Sequence, residues 1–330
     1  MLFALMPARA VASAPLNYLS GHGTRAYPVV ALTWGVLLIA ITVVVIISLL
    51  VAGAIWRRPG IVSPPPGQRL AIERPVGGIK WILIGVGLSS AVLLGTVVWT
   101  MSVLAAVTAP AAKPALTIEV TGHQWWWQVR YLSDDPAKIF TTANEIHIPT
   151  GVPVKFRLIG GDVIHSFWVP ALSGKTDLIP GQTNETWMEA QKPGIYRGQC
   201  TEYCGIEHAR MGFVVVAQRP ADFEAWWLRQ LQSAAAPATA AAQAGLADFN
   251  MHCGSCHAVR GTDAGGVLGP DLSHLATRRT IAAGVLPNTP RNRARWISDP
   301  QGIKPGAMMQ KPELTETQLT DINAYLSTLN

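Results

Sequence analysis

Two long stretches without a charged side chain constrain this chain more than any other feature of its sequence. One runs from Ala26 to Trp56 and the other from Trp81 to Ala112. A helix that crosses a bilayer needs about 20 apolar residues, whereas about 10 to 14 are enough for a buried helix of a soluble protein. The sequence therefore predicts a transmembrane hairpin over residues 26–112, with helices at about 29–56 and 81–108 and a connecting loop at 57–80.

The charges around these stretches predict how the hairpin is oriented. The charged residues of the loop are Arg57, Arg58, Arg69, Glu73, Arg74 and Lys80. Because loops rich in Lys and Arg stay in the cytoplasm, both termini and everything after residue 112 are predicted to lie outside it. The chain has 26 basic and 20 acidic residues, and the excess lies around the apolar stretches and not on one face. This distribution argues against nucleic acid as a partner.

The N-terminal segment, residues 1–25, carries an incomplete targeting signal. It starts with MLFALMPARAVASA, and an Ala-Ser-Ala end is typical of a signal-peptidase site. The segment lacks the basic start of a signal peptide, however, and Pro15 would follow the cut. Whether this segment is removed stays open.

Between Leu116 and Ala217 the pattern changes to short runs rich in β-formers and broken by Gly and Pro. Examples are LTIEVTG, VPVKFRLIG and GFVVVAQ. Many short strands at near-regular spacing are typical of an antiparallel sandwich. We therefore expect a β-sandwich domain at residues 113–219.

A cluster of soft metal ligands lies on this predicted sandwich. The run CTEYCGIEHARM places Cys200, Cys204, His208 and Met211 four, four and three residues apart, and DVIHSFWVP contributes His165. Thiolate, imidazole and thioether ligands suit copper or zinc, and a methionine favours copper. Structural zinc more often shows paired C-x2-C motifs without Met. A single copper site needs one cysteine, so two thiols on one loop suggest that sulfur bridges two metal ions.

A second motif, near the C-terminus, predicts a haem. Cys253, Cys256 and His257 form a C-x2-C-H run, to which c-type haem is attached through two thioethers with the His as an axial ligand. The segment WISDPQGIKPGAMMQ then offers a Gly- and Pro-rich loop with a methionine about 50 residues after the His. This is the arrangement that His/Met ligation of a cytochrome c requires.

The sequence also predicts how the haem domain is connected to the sandwich and where the last helix of the haem domain begins. Residues 220–244 predict a short helix followed by an alanine-rich flexible linker, with the haem domain at 245–330. Thr315 and Gln318 have the spacing of a capping box, and an apolar face follows them. We therefore expect the chain to end in a helix.

Three stretches of the predicted sandwich resemble subunit II of the haem-copper cytochrome c oxidases. They are GHQWWWQVRY, DVIHSFWVPALSGKTDLIPG and GQCTEYCGIEHARMG. The resemblance implies a cupredoxin-like Greek-key β-sandwich that carries the binuclear copper centre called CuA. The ligands it implies are His165, Cys200, Glu202 through its backbone carbonyl, Cys204, His208 and Met211. It further implies that the Glu202 carboxylate reaches a magnesium or manganese ion shared with subunit I.

The same resemblance gives one of three consecutive tryptophans a functional role. It implies that electrons enter the copper site at Trp125, while ordinary packing of Trp125 stays open. Asp162, three residues before His165, either orients a partner, helps docking or is a surface carboxylate. The isolated histidines are interpreted as structural or exposed; they are His22, His123, His147 and His274.

Residues 245–330 resemble the small class I cytochrome c domains of bacteria, which are all-α. The resemblance implies haem c on Cys253 and Cys256, with His257 and Met309 as axial ligands. Met309 follows from the family spacing K-P-G-x-x-M, and Met308 is the alternative. Matches to the helix-crossing contacts of that family are Gly245, Phe249 and Tyr325. A cytochrome c fused to the C-terminus of an oxidase subunit II is a known form of the family.

Together the two resemblances imply one subunit of a proton-translocating cytochrome c oxidase. Electrons from a soluble or membrane cytochrome c would pass through the haem and CuA to subunit I, where oxygen is reduced. The implied partners are subunits I and III and the lipid bilayer. The implied location is a bacterial inner membrane, with two spans and with both termini and both redox domains on the periplasmic side.

Two alternatives and one departure from the family pattern remain. One alternative is a membrane-anchored copper-delivery protein, which would need neither His208 and Met211 nor a haem domain. The proline that follows the second cysteine in that family is replaced here by Gly205. A stand-alone electron carrier is the other alternative. The oxidase family often has a carboxylate for proton uptake near the start of the second span, whereas the nearest acid here is Glu73.

Overall fold

The computed structural model describes residues 16–57 and 78–330, which form two compact units. One unit is the hairpin at residues 28–109, and the other joins residues 16–27 to residues 110–330. The candidate signal-peptidase site lies outside the described residues, as do Glu73 and most of the predicted cytoplasmic loop.

The hairpin unit consists of two long helices, α1 (Ala26–Trp56) and α2 (Gly78–Thr108). Both are long and apolar enough to cross a membrane, which agrees with the predicted spans. Almost all of their side chains are exposed, with Ala26 and Val103 as the buried ones. Apolar surface of this extent is stable only when lipid or protein covers it. The helices approach closely at Gly35, where a Cβ atom would lie 2.3 Å from the Trp99 ring.

A β-sandwich of two five-stranded sheets forms the first part of the other unit. Its strands are β1 (Leu116–His123), β2 (Trp126–Leu132), β3 (Phe140–Ala143), β4 (Glu145–Pro149), β5 (Val154–Gly160), β6 (His165–Trp168), β7 (Thr176–Leu178), β8 (Thr183–Met188), β9 (Gly194–Cys200) and β10 (Gly212–Gln218). The sheet orders are β3-β2-β1-β5-β8 and β4-β10-β9-β6-β7. Fully buried side chains such as Val120, Trp127 and Phe167 fill the space between the sheets. The predicted cupredoxin-like sandwich is confirmed.

The expectation of a wholly antiparallel sandwich is wrong for two strand pairs, since β1 pairs with β5 and β4 with β10 in parallel. The chain leaves one sheet for the other at Asn144, which has a φ of 61°. An asparagine tolerates this left-handed conformation better than most residues. After β4 the chain returns to the first sheet as β5, which runs parallel to β1 with Val154 paired with Leu116 at the start of both strands.

The C-terminal helical domain, defined here as residues 240–330, follows a helix that packs on the sandwich. That helix is α3 (Pro220–Gln230), and the domain contains α4 (Ala240–His252), α5 (Pro290–Ser298), α6 (Pro300–Ile303), α7 (Glu316–Leu326) and a two-residue pairing of β11 (Thr280–Ile281) with β12 (Leu286–Pro287). Helices α4 and α7 touch at Gly245, where a Cβ atom would lie 1.9 Å from the Asp321 carbonyl oxygen. The Phe249 and Tyr325 rings pack nearby, with centroids 5.5 Å apart. The capping box at the start of α7 is confirmed.

The alanine-rich segment that the sequence analysis assigned to a flexible linker ending at residue 244 overlaps the first helix of this domain. Helix α4 begins at Ala240, because the Thr239 hydroxyl accepts a hydrogen bond from the Ala242 amide (3.2 Å) and alanine has the highest helix propensity. The Ala234 amide donates to the Arg260 carbonyl oxygen (2.9 Å). The expectation of a loose tether ending at residue 244 therefore does not hold, since local capping and contacts with the domain order the segment.

Candidate metal centres

Two buried cysteine thiols lie side by side at one end of the sandwich. Cys200 ends β9, Cys204 lies in the loop that follows, and neither forms a disulfide. Their sulfur atoms are 3.8 Å apart. The ligand atoms of these two cysteines and of His165 all lie within 4.8 Å of one another. The pair is therefore close enough for both sulfurs to contact the same metal ions.

Four further donors surround the two sulfurs, two for each. Cys200 Sγ lies 3.9 Å from His165 Nδ1 and 3.3 Å from the Glu202 carbonyl oxygen. Cys204 Sγ lies 3.5 Å from His208 Nδ1 and 3.8 Å from Met211 Sδ. Each thiol thus has one imidazole and one weaker donor beside it. Soft sulfur ligands with imidazole suit copper, so this donor set fits a binuclear copper centre.

The sheet fixes two of these donors, His165 and Cys200, because they lie on neighbouring strands of the same sheet, and the other donors lie in the loop after β9. His165 opens β6, which pairs with β9 so that Phe167 lies opposite Cys200. The Cys200 amide donates to the Met211 carbonyl oxygen (3.1 Å), which ties the two ends of the ligand loop together. His165, Cys200 and Met211 are all buried. The donors are therefore preorganised by backbone hydrogen bonds.

Asp162 orients one of the two imidazoles. Its Oδ1 atom lies 2.8 Å from His165 Nε2 and accepts a hydrogen bond from the Val163 amide, while Oδ2 accepts one from the Gln124 amide. Burial raises the pKa of Asp162, but these hydrogen bonds outweigh it and hold the pKa below its usual value. A carboxylate at Nε2 leaves the unprotonated Nδ1 facing Cys200. Asp162 is thus a positioning residue and not a free surface carboxylate.

The close contact between the two thiols also shifts their pKa values in opposite directions. The hydrogen bond with Cys204 lowers the pKa of the Cys200 thiol to about 4, while the same contact raises the pKa of Cys204. Metal ligation by cysteine requires the thiolate form. One of the two sulfurs is therefore ready to bind metal near neutral pH.

The three consecutive tryptophans have three different environments. The Trp125 indole donates to the Cys204 carbonyl oxygen (2.9 Å) and is only 7% exposed. Trp126 stacks on His123 with ring centroids 4.8 Å apart, and Trp127 is buried in the core. The Trp127 indole donates to the Met211 carbonyl oxygen (3.4 Å), so Trp125 and Trp127 each hydrogen-bond to the backbone of a metal-ligand candidate, and Trp125 is the one that bonds to a cysteine.

The haem-attachment motif lies at the end of α4 in one tight turn. The His257 amide donates to the Cys253 carbonyl oxygen (2.9 Å), and His257 Nδ1 lies 2.8 Å from the Pro270 carbonyl oxygen. A carbonyl can only accept, so Nδ1 carries the proton and Nε2 is left for iron. Burial lowers the pKa of His257, which favours the neutral imidazole that a metal needs. A Cβ atom at Gly269 would lie 2.6 Å from the His257 ring, so the chain passes directly against it. The residues present fit a covalently attached haem.

The two methionines that compete as the second axial ligand face different ways. Met309 packs against the apolar core of the C-terminal helical domain, in the cluster that also includes Cys253. Met308 is 79% exposed. A ligand to a haem held by Cys253 must face that core, so the packing favours Met309.

Met309→Ala is expected to lower the haem reduction potential by roughly 0.1 V or more, because an axial thioether raises the potential of haem iron. Met308→Ala serves as the matched control and is expected to leave the potential unchanged. The measurement is a redox titration of the full chain with haem attached. The reverse pattern would transfer the ligand role to Met308.

Sequence reasoning missed the residues that join the sandwich to the C-terminal helical domain. Lys304 Nζ donates to the Trp125 carbonyl oxygen (2.6 Å), and the Arg279 amide donates to the Glu145 carboxylate (3.0 Å). His147, predicted as isolated, lies 3.0 Å from the same carboxylate and stacks on Trp226. No spacing in the sequence marks the Lys304 and Arg279 contacts, because each joins residues that are far apart in the chain.

Sequence analysis also missed contacts made by the residues that precede the first helix. The His22 amide donates to the Ala171 carbonyl oxygen (2.7 Å), and Gly23 pairs with Ala190 as a single β-bridge. The Arg25 guanidinium donates to the Trp187 carbonyl oxygen (2.9 Å). This short segment therefore belongs structurally to the sandwich.

Two family models match separate parts of the chain. Residues 130–218 match the model described as cytochrome C oxidase subunit II, periplasmic domain, and residues 242–330 match the model for cytochrome c. Neither match reaches the two long apolar helices.

Relatives with known names are similar over longer regions. The chain is 41% identical over 214 residues to cytochrome c oxidase subunit 2 of Alkalihalophilus pseudofirmus. The matched region covers 64% of this chain and 60% of that relative. It is 30% identical over 268 residues to cytochrome c oxidase subunit 2 of Bacillus subtilis, with 76% of this chain and 74% of the relative covered. The chain thus spans less than two thirds of the first relative and about three quarters of the second.

Similarity to a solved structure is limited to part of the chain. The periplasmic domain of subunit II of cytochrome oxidase of Bradyrhizobium japonicum is 33% identical, with 37% of this chain and 96% of that chain covered. The TM-score is 0.34.

Proposed function

Because this chain belongs to the cytochrome c oxidase subunit II family and carries a cytochrome c domain, we propose that it is the electron-accepting subunit of a proton-translocating cytochrome c oxidase. In this proposal it takes electrons from a cytochrome c donor through haem c and CuA and delivers them to subunit I, where oxygen is reduced. The observation that carries the proposal is the sulfur pair, 3.8 Å apart, with one imidazole beside each sulfur.

The proposed ligands of the copper pair are the six donors around these sulfurs. They are His165, Cys200, the Glu202 carbonyl oxygen, Cys204, His208 and Met211. When bound, a copper pair held by these donors would supply one-electron transfer. The role of the protein is to hold the donors in place before metal binds, and the β6 and β9 backbone bonds and the Asp162 contact support that role.

For the haem, the proposed ligands and attachment points are Cys253, Cys256, His257 and Met309. The hydrogen bond from His257 Nδ1 to Pro270 orients the imidazole, and the inward packing of Met309 supports its place as the opposite ligand. Both candidate redox sites lie in the same compact unit. This arrangement supports transfer within one chain.

Trp125 is the proposed residue through which electrons reach copper. Its indole hydrogen-bonds to the backbone of Cys204, and its ring lies beside Gly306 of the C-terminal helical domain, where an added Cβ atom would be 3.2 Å away. Trp125 therefore contacts both the copper-ligand loop and the loop that leads to Met309. No other tryptophan of the run makes both contacts.

The partners and the location are also proposals. Subunits I and III and a cytochrome c are the proposed protein partners, in a bacterial inner membrane with both redox domains on the periplasmic side. Residues 16–27 belong to the same unit as the sandwich, as expected if both ends of a two-span hairpin lie on one side of the membrane. The Glu202 carboxylate lies 3.7 Å from Lys175 and is half-exposed, and we keep it as the proposed magnesium or manganese ligand.

Metal analysis of the purified full chain tests this function. We expect two copper ions and one haem iron per chain, with an EPR spectrum of one unpaired electron shared by two coppers. Cys204→Ser is expected to abolish the shared-electron spectrum, because a hydroxyl is a poor bridge for copper. One copper per chain with an isolated blue-copper spectrum would contradict the binuclear proposal. Retained copper with no haem would favour a copper-delivery protein.

A further inference from the structure

We infer that Lys304 is a positioning residue that holds the C-terminal helical domain against Trp125 and so sets the electron-transfer geometry between haem and copper. The inference rests on the proposed function and adds to it a residue outside both ligand sets. Lys304 lies five residues before Met309 and touches no proposed ligand side chain.

The amine of Lys304 has three hydrogen-bond acceptors, two of which lie across the domain boundary. It donates to the carbonyl oxygens of Trp125 (2.6 Å), Arg210 (2.9 Å) and Ala282 (3.4 Å). An ammonium has three N–H donors, so these three acceptors satisfy it completely. Two acceptors belong to the sandwich and one to the C-terminal helical domain. A single buried group thus ties together two loops of the sandwich and one of its own domain.

Lys304 contacts residues that adjoin the candidate copper site. Trp125, which supplies the shortest of the three bonds, also donates its indole N–H to the Cys204 carbonyl oxygen. Arg210 directly precedes Met211 and donates from Nη1 to the Ile303 carbonyl oxygen (2.8 Å). The segment from Ile303 to Met309 is therefore bound to the copper-ligand loop at its N-terminal end, through Ile303 and Lys304.

Stability alone gives a weak reason for a lysine at this position. Lys304 is only 3% exposed, and burial lowers its pKa to about 7, although the nearby Glu207 carboxylate raises it. Burying an amine is costly, and a well-packed apolar side chain is often as stable or more stable. An amine with fixed acceptors instead specifies one relative position of the two domains. An uncharged amine keeps two donors, so the contact does not depend on protonation alone.

Other contacts between the domains do not involve Lys304. Arg260 donates to the Ile139 carbonyl oxygen (3.1 Å), and the Arg279 amide donates to Glu145. We therefore expect loss of the Lys304 amine to shift the loop that contains Lys304 and Gly306 relative to Trp125, without detaching the C-terminal helical domain from the sandwich.

The test uses the purified oxidase that contains the full chain with haem and copper bound. Lys304→Met removes the amine while keeping the unbranched apolar stem of the side chain, and Lys311→Met, at an exposed lysine of the same domain, is the matched control. After flash reduction of the haem, its oxidation by copper is expected to slow roughly tenfold in Lys304→Met, since a displacement of about 1 Å changes reaction rates strongly. The control is expected to transfer electrons at the unchanged rate.

Further readouts separate positioning from a general structural role. The haem and copper spectra and the rate of haem reduction by the donor are expected to stay the same in Lys304→Met. Hydrogen exchange of the full chain is expected to speed up at residues 205–212 and 280–284, because the Gly212 amide donates to the Ala283 carbonyl oxygen across the same contact. Lys304→Gln keeps two N–H donors and is expected to give an intermediate transfer rate.

An unchanged transfer rate in Lys304→Met with both centres intact overturns the inference. Loss of haem or copper from both Lys304→Met and Lys304→Gln also overturns it, since Lys304 would then be needed to form a centre. If the unsubstituted enzyme transfers no electron from haem to copper, the proposed function itself fails, and hydrogen exchange still decides whether Lys304 joins the domains.

Discussion

Deleting residues 233–330 is expected to leave an assembled oxidase whose turnover with its cytochrome c donor is lower by roughly 10²-fold. The deleted part holds the proposed haem beside the copper domain at high effective concentration, and losing such tethering commonly costs this much. The donor would then have to reach the copper site directly. Steady-state oxygen consumption at one fixed ionic strength is the measurement.

The control for this deletion is a small inorganic reductant that can reach copper without a protein docking surface. Its turnover is expected to fall little, which would show that the truncated enzyme is assembled. In the full chain Trp125 is 7% exposed and lies under the loop that contains Lys304 and Gly306, so a protein donor has no direct access to it. Full activity with the same donor after truncation would mean that the C-terminal helical domain is accessory.

Trp125→Ala is expected to slow electron transfer into copper by roughly 10²-fold, because losing or displacing a positioned group changes reaction rates by about this factor. The substitution removes the indole that hydrogen-bonds to Cys204 and packs beside Gly306. Copper content is expected to stay unchanged, since no donor around the sulfur pair is removed. Stopped-flow reduction of copper is the measurement, with copper analysis in parallel.

Trp126→Ala is the matched control for this substitution. Trp126 is the next residue in the chain but stacks on His123, and its indole has no bond to the copper-ligand loop. We expect its transfer rate to equal that of the unsubstituted chain. Equal rates in Trp125→Ala and the unsubstituted chain would return Trp125 to ordinary packing.

The sequence alone determined the features that depend on local pattern or on the identity of donor groups. The two spans follow from uncharged runs long enough to cross a bilayer, whatever they pack against. Cys253, Cys256 and His257 are close in space because they are close in sequence, and the same is true of Cys200 and Cys204. Local hydrogen bonding also explains the capping box at Thr315.

Tertiary structure decided the features that depend on contacts between distant segments. His165 reaches Cys200 only because β6 and β9 are neighbours in one sheet, and the parallel pairing of β1 with β5 joins strands that three other strands separate in the chain. The family spacing favoured Met309 and left Met308 as the alternative, whereas packing places Met309 against the core and exposes Met308 to solvent.

Lys304 shows most clearly why these features could not be predicted. Its three acceptors are main-chain carbonyls on two domains, and a carbonyl is present at every residue. Sequence therefore carries no sign of which carbonyls will meet an amine. Only the shapes of the two folded surfaces decide that they meet here, and the same surfaces bury Trp125 between them.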